Sequence, residues 1–197
     1  EIIVADGGST DATVALASPF ARVVHAPRGR ARQMNAGAFQ AQGDVLLFLH
    51  ADTRLPPHAG ERIALALRDP AVVAGGWALR FDAPGWLYEL IARSTNLRSR
   101  LRHIFTGDQA IFVRADVFHA LGGFADIPLM EDLEIWARLG AAGCVALLTP
   151  PVLVSARRHR RYGPLRVLAT GWLYQLLYAL GMPPFGLYRL YYGRPPE

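Results

Sequence analysis

The chain contains no lysine, so all 21 of its basic side chains are arginines. Arginine favours bidentate contact with phosphates and carboxylates, and the net charge of +5 makes an anionic partner plausible. Cysteine is nearly absent as well. The single Cys144 excludes an internal disulfide and fits a reducing compartment. We therefore expect a cytoplasmic protein.

Long apolar runs are also missing. The best candidate, Val167 to Met182, spans sixteen residues and is interrupted from Gly181 onward, whereas a membrane span needs about 20. The surrounding tyrosines, tryptophan and arginines are typical of an interfacial helix or an oligomer contact. We therefore expect residues 161–197 to form an apolar helical tail. Through 165–192 it would contact its own domain, a second copy of the chain, or the inner face of the membrane.

The composition indicates one folded domain, because 52% of the 197 residues are hydrophobic and 19% are charged. We assign residues 1–160 to it. The chain shows no signal-peptide pattern and opens directly on a strand pattern, Ile2 to Ala5, so we expect a further segment upstream. The arginine clusters lack an accompanying strand of stacking aromatics, which argues against nucleic-acid binding.

A short apolar run, Val45 to Leu49, predicts a buried parallel strand that ends at a polar triplet. Open α/β sheets build ligand sites at such strand ends. His50 and Asp52 are two residues apart, so in an extended segment they point the same way. An imidazole and a carboxylate suit a divalent metal. The alternative is that Asp52 caps a turn and His50 is an ordinary strand-end histidine.

The first predicted strand ends in the same manner, at Asp6 and Gly7. Paired glycines allow a tight turn with close backbone approach, and Asp6 would face a ligand there. The alternative is that this carboxylate only caps the turn. A second loop, 27–37, carries alternating arginines, including Arg30, into a helix that also holds Gln33 and Asn35. A helix amino end with arginine forks binds anions well, although a solvated basic loop would look similar.

The order of patterns up to residue 49 is strand, helix, strand, helix, strand, which predicts a doubly wound parallel sheet. Further on, Thr106 to Gln109 set polar residues inside an apolar strand pattern, an exception that hints at function. Glu131 and Asp132 fall in the first turn of a predicted helix, where the helix dipole favours ionised carboxylates. Such an acid could be a general base or an ordinary capping residue.

A basic cluster, Arg157 to Arg161, follows the last predicted strand. It could clamp a diphosphate, with His159 as an additional metal ligand. The alternative is an electropositive loop without a ligand.

Taken together, these segments resemble the family 2 glycosyltransferases with the GT-A fold, a Rossmann-like, mostly parallel α/β sheet with flanking helices. The resemblance covers almost the whole chain. It implies a nucleotide-sugar donor, an acceptor hydroxyl and a divalent metal, Mn²⁺ or Mg²⁺. The site residues that it implies are assigned by role as follows: the catalytic base Asp132; the metal ligand Asp52; the donor-binding residues Asp6, Gly7, Arg30, Gln33, Asn35, His50 and Ala51; and the acceptor-binding residues Gly107, Asp108, Gln109 and Glu131.

The amino-acid sequences of three segments, 48–53, 107–109 and 127–132, are most similar to those of a bacterial subset of this family that is associated with arsenosugar biosynthesis. Two departures stand out. His50 replaces the first aspartate of the family's Asp-X-Asp motif, and the family's opening strand and Pro-X-X-Asn-Glu loop are absent here.

One base acting in a single displacement implies inversion at the anomeric carbon. Two other functions remain open at this stage. A sugar nucleotidyltransferase shares the sheet, the metal and the phosphate-binding arginines, but would release pyrophosphate. A non-catalytic membrane-surface or scaffold module would explain the apolar tail.

Overall fold

A computed structural model describes residues 1–195 of the chain. Its helices and strands, in chain order, are β1 Ile3–Asp6, α1 Thr13–Ala17, β2 Arg22–His25, α2 Arg30–Gln40, β3 Val45–Phe48, β4 Thr53–Arg54, α3 Ala59–Ala66, β5 Val72–Phe81, α4 Trp86–Arg102, β6 Ile111–Arg114, α5 Ala115–Ala120, α6 Glu131–Ala142, β7 Cys144–Val154, α7 Arg157–Tyr162, α8 Pro164–Ala179 and α9 Pro184–Tyr192, with a 3₁₀ turn at Gly107–Gln109.

The strands form two sheets. β1 and β2 pair in parallel, from Ile3 opposite Arg22 to Asp6 opposite His25. The larger sheet has the order β3-β6-β5-β7-β4, in which β5 and β7 are parallel and the other pairings are antiparallel. The α/β class is as predicted, with a sheet that is mixed.

Strand β3 differs from its prediction in two respects. It lies at an edge of the five-stranded sheet and runs antiparallel to β6. Within it only Leu46 is buried, and the following Leu49 is 44% exposed. An apolar run of this length predicts a strand correctly, but it does not reveal which neighbour the strand pairs with or whether both of its faces are covered.

Two apolar clusters cover the faces of the larger sheet. One joins the sheet to α2, α5 and α6 and includes Phe105, Ile135 and Leu139. The other includes Trp77 and Phe112, whose rings meet edge-on with centroids 5.6 Å apart. Ala31 and Ala38 of α2 belong to the first cluster, and a β-carbon placed on Gly37 of the same helix would lie 3.7 Å from that of Ala5. Helix α2 therefore holds β1 against the rest of the domain.

The apolar strand predicted around Thr106 to Gln109 is instead a loop, the 3₁₀ turn and the short β6. One long strand, β7, precedes the basic cluster. The cluster itself is helical, as α7.

The tail consists of α8 and α9, folded onto the domain. Tyr174 and Leu187 pack against Leu129 and Met130, which lie directly before α6. The predicted tail extends to residue 197, and residues 196–197 lie outside the described part of the chain. Over residues 1–195, no helix combines the length and the apolarity that crossing a membrane requires.

Candidate functional site

Asp6 ends β1 as a buried carboxylate held by its own turn. Its oxygens accept the backbone N–H groups of Gly8 and Ser9 at 3.0 and 3.1 Å. Hydrogen bonding by Ser9, aided by the N–H of Gly8 and opposed by burial, lowers the pKa of Asp6. His25 Nδ1 lies 3.4 Å away. Asp6 is thus ionised at neutral pH at the end of a strand, as its predicted role requires.

Gln33 supports this turn from helix α2. Its Nε2 donates to the carbonyl of Ala5 at 2.8 Å, and a β-carbon on Gly7 would lie only 2.8 Å from Gln33 Cδ. Glycine at position 7 therefore allows α2 to approach the turn closely. The structure does not bring Asn35 to this point. Its amide makes two bonds, of 2.8 and 2.9 Å, to the backbone of Phe124.

Arg30 and Glu131 form an ion pair across 101 positions of sequence. Arg30 Nε lies 2.8 Å from Glu131 Oε1, and a second nitrogen donates to Oε2 at 3.3 Å. The pair ties the amino end of α2 to that of α6. Burial raises the pKa of Glu131 to about 7, against the opposing charge of Arg30 and with the added repulsion of Asp132.

Asp132, the predicted base, is buried at the start of α6 and is joined to the 3₁₀ turn. The N–H of Gly107 donates to its Oδ2 at 2.9 Å, and the N–H of Leu133 donates to Oδ1 at 2.9 Å. On the other side of the turn, a β-carbon on Gly107 would lie 2.6 Å from His50 Nε2. The histidine of the predicted metal motif and the predicted base therefore meet at one glycine.

Gln109 lies inside the protein, with none of its surface exposed. Its Nε2 donates to the carbonyl of Trp77 at 2.8 Å, and its Oε1 accepts the N–H of Thr106 at 3.0 Å. Ser99 and Arg98 also bond to the amide. In this structure Gln109 fixes the turn that presents Gly107, and its polar atoms are engaged within the protein.

Three polar atoms near this turn are buried without a hydrogen-bond partner: Asp108 Oδ1, His159 Nδ1 and Arg98 Nε. Burial, and then the charge of Arg158, lowers the pKa of His159, while Asp108 opposes this shift. His159 packs edge-on against the ring of Phe81, with centroids 4.6 Å apart. The unpaired imidazole nitrogen and carboxylate oxygen are atoms that a ligand or an ion can satisfy.

The metal candidate Asp52 is exposed, as is Ala51. The backbone carbonyl of Asp52 accepts the N–H of Ser155 at 3.0 Å. The backbone of Asp52 therefore lies beside the segment that leads from β7 to His159. Within residues 1–195, no three His, Cys, Asp or Glu side chains gather closely enough to hold an ion alone. Mn²⁺ and Mg²⁺ sites often combine one or two carboxylates with substrate phosphates and water, so the exposed carboxylate of Asp52 suits a site that a diphosphate completes.

A cavity of about 320 Å³ lies between the start of α2, the loop before α6 and helix α9. It is lined by Arg28, Gly29, Ala31 and Arg32, by residues 126–128, and by Phe185 and Tyr188 of α9. Sequence reasoning missed the contribution of the tail to this cavity. It also missed Arg98, whose guanidinium is close enough to Asp108 and Asp132 to be influenced by their charges. Arg98 lies on the same side of α4 as Leu87 and Ile91, but an arginine in a helix usually signifies only contact with solvent.

Comparisons with known proteins identify a matching family profile and several structures of similar fold. The profile of Glycosyl transferase family 2 matches residues 1–125. A search of curated proteins finds no match. Among solved structures, Staphylococcus aureus TarS 1–349 has a TM-score of 0.62 at 17% identity, over 86% of this chain and 55% of that one.

Two further structures are similar. Glucosyl-3-phosphoglycerate synthase from Mycobacterium tuberculosis, in complex with phosphoglyceric acid, has a TM-score of 0.59 at 20% identity, over 93% of this chain and 70% of that one. Mannosyltransferase PcManGT from Pyrobaculum calidifontis, in complex with GDP-Man and Mn²⁺, has a TM-score of 0.58 at 25% identity, over 95% and 59%. The chain thus spans little more than half of the TarS and PcManGT structures. The α/β GT-A fold predicted from the sequence is confirmed, with a larger sheet that is mixed rather than mostly parallel.

Proposed function

The chain belongs to glycosyl transferase family 2, and from this premise we propose that it transfers a sugar from a nucleoside-diphosphate sugar to an acceptor hydroxyl. The observation that carries the proposal is the convergence of Arg30, Glu131, Asp132, Gly107 and His50 in one site. These residues come from four separate segments.

Asp132 is the proposed base that accepts the proton of the acceptor hydroxyl. It lies in the first turn of α6, where the helix dipole stabilises its negative charge. Two backbone N–H donors fix the direction of the carboxylate. A single base on one side of the sugar supports direct displacement, with inversion at the anomeric carbon, and this stereochemistry is part of the proposal.

The proposed donor site runs from the turn at Asp6 to Asp52. Asp6 and Gly7 would contact the nucleoside, as the resemblance to the family implies. A divalent cation bound by Asp52, with His159 as a second ligand, would neutralise charge on the departing diphosphate. The solved complexes of glucosyl-3-phosphoglycerate synthase with Mn²⁺ and UDP-glucose, and of PcManGT with GDP-Man and Mn²⁺, support a cation of this kind.

The acceptor side is proposed to include Asp108 and Glu131. Asp108 has a buried oxygen without a partner. Burial raises the pKa of Glu131 to about 7, and its carboxylate contacts Arg30 beside Asp132. Gly107 would take part through its backbone. Gln109 would act indirectly, by holding the turn.

Assignment to the bacterial subset associated with arsenosugar biosynthesis is a narrower proposal, which rests on the amino-acid sequences of segments 48–53 and 127–132. Formation of an arsenic-containing glycoside, followed by mass spectrometry, would test it. A cytoplasmic location likewise stays a prediction.

Calorimetric titration of the 197-residue chain with UDP and GDP, with and without Mn²⁺, tests the donor site. We expect binding of one diphosphate that requires the metal and is lost in Asp52→Ala. Asp44→Ala is a matched control, because Asp44 is exposed and lies before β3 rather than after it. Binding that is indifferent to metal and to Asp52 would contradict the proposed donor site. Release of pyrophosphate during turnover would indicate a nucleotidyltransferase instead.

A further inference from the structure

Positive charge is concentrated in one part of the chain. Residues 157–192 contain six of the 21 arginines and none of the 16 acidic residues. The rest of the chain therefore has 15 arginines against 16 acids, close to neutrality. The net positive charge of the protein thus resides in α7, α8 and α9. Asp82 of the domain offsets one of the six, since it lies 3.3 Å from Arg160.

The same segment exposes large apolar side chains along one side of α8. Leu165, Trp172, Leu173, Leu176 and Leu180 are each about half exposed or more. At 100° per residue, their positions fall within an arc of about 100°. The opposite side of α8 is already used, because Tyr174, Leu177 and Tyr178 pack towards α6 and α9. Helix α8 therefore has one apolar side in the core and a second in solvent.

Helix α9 also exposes Phe185, Leu190 and Tyr192, of which Phe185 lines the cavity beside α2. Arginines lie beside aromatic rings here. The guanidinium of Arg158 is 5.4 Å from the ring centre of Tyr191, and that of Arg161 is 5.3 Å from the ring centre of Tyr162. Aromatic residues interleaved with arginines, next to exposed leucines, are typical of helices that lie in a membrane interface.

We propose that the exposed side of α7, α8 and α9 docks on the surface of an anionic lipid bilayer. The leucines and Trp172 would enter the boundary between headgroups and acyl chains, and the arginines would contact lipid phosphates. This docking is independent of the transferase reaction proposed above.

A second copy of the chain is the less favoured occupant of this surface. In a two-fold dimer, the same patch of both subunits meets itself. The interface would then bring together twelve arginines from two copies of 157–192, with no acidic residue of that segment to pair with them. Like charges at an interface oppose association, whereas anionic lipid supplies the missing countercharge.

Flotation of the 197-residue chain with lipid vesicles tests the proposal. We expect binding to vesicles of phosphatidylcholine with added phosphatidylglycerol, and binding roughly ten-fold weaker or more to phosphatidylcholine alone. Added salt should weaken the anionic binding. No nucleotide or metal should be needed for it.

Two double variants separate the apolar and the electrostatic contributions to vesicle binding. Trp172→Ser with Leu176→Ser should abolish binding, and Arg161→Gln with Arg166→Gln should weaken it roughly ten-fold or more. Matched controls are Phe20→Ser with Phe39→Ser, and Arg54→Gln with Arg68→Gln, since these side chains are also exposed but lie outside the tail. The controls should bind as the parent does. Thermal unfolding of each variant, followed by circular dichroism, verifies that the fold is retained.

Three results would overturn the proposal. One is the absence of binding to anionic vesicles. Another is binding that the tail variants and their controls change equally. The last is a dimer, measured by sedimentation, that forms with increasing protein concentration and is dissociated by the Trp172 and Leu176 substitutions, in a protein that does not bind vesicles. That result would assign the surface to a second copy of the chain.

Discussion

The backbone N–H of Gly107 donates to the carboxylate of Asp132 across 25 positions of sequence, at 2.9 Å. This bond joins the 3₁₀ turn to the first turn of α6. On the turn's other side, the imidazole of His50 leaves no room for a β-carbon at position 107. The predicted base is therefore oriented by a glycine that also meets the end of the β3 segment.

Replacing Asp132 by Asn should abolish turnover and preserve the fold. The asparagine Oδ1 can accept the N–H of Gly107 in place of the aspartate oxygen, at the loss of the bond from the N–H of Leu133, but the amide cannot take a proton. General bases contribute about 10²–10⁴-fold, so release of nucleoside diphosphate from the sugar nucleotide should fall by a factor of that order. Diphosphate affinity should be unchanged. Asp116→Asn, at an exposed position in α5, is the control, and an equal rate in both variants would remove Asp132 from the mechanism.

Gly107→Ala should displace His50. The new β-carbon would lie 2.6 Å from His50 Nε2, so the ring must swing aside or the turn must move, at about 1–3 kcal/mol. Urea unfolding measures this cost, and titration with Mn²⁺ and diphosphate reports on the site. His50→Ala in the same chain should recover the stability. Gly140→Ala is the control: with no neighbour within 4 Å in helix α6, it should gain about 0.5–1 kcal/mol.

Gln109→Ala should destabilise the domain. The change leaves the carbonyl of Trp77 and the N–H of Thr106 without their partners in the protein interior. Unsatisfied buried groups cost about 1–3 kcal/mol each, and the lost packing adds to this. Urea unfolding, compared with the exposed Gln42→Ala, measures the effect. If both variants unfold alike, Gln109 does not hold the turn.

Glu131 should give the stability a specific dependence on pH. Burial raises its pKa from 4.5 to about 7. Between these values the folded protein keeps a proton that the unfolded chain has released, so the free energy of unfolding should decrease as pH rises through this window. Below pH 4.5 Glu131 is protonated in both states, so it no longer makes the free energy of unfolding depend on pH.

Glu131→Gln removes this titration. Relative to the parent, the variant should therefore become more stable as pH increases from 4.5 to 7. Urea unfolding at both pH values checks the difference, with the exposed Glu89→Gln as the control. An identical difference at the two pH values would mean that Glu131 is not protonated in the folded protein.

Local sequence predicted much of what determines this site. The first strand pattern correctly placed Asp6 at the end of β1, and a helix pattern correctly placed Glu131 and Asp132 in the first turn of α6. Asp52 instead lies in an exposed turn beyond the end of β3, so it and His50 do not share the extended segment that was predicted. The first two predictions succeed because apolar periodicity and helix starts depend on neighbours within a few positions. The same patterns carry the resemblance to the family, which the match over residues 1–125 supports.

Tertiary structure decided which of these residues meet. No local pattern indicates that Arg30 pairs with Glu131, that Gln109 is turned inward, or that β3 lies antiparallel at a sheet edge. Each depends on which face of an element another segment covers, and that choice is made by packing between residues far apart in sequence. The sequence by itself determined the family and the local elements that carry Asp6, Glu131 and Asp132. The folded structure determined which partners these acids have, because only packing between distant segments decides whether a polar side chain bonds within the protein or is left to contact a ligand.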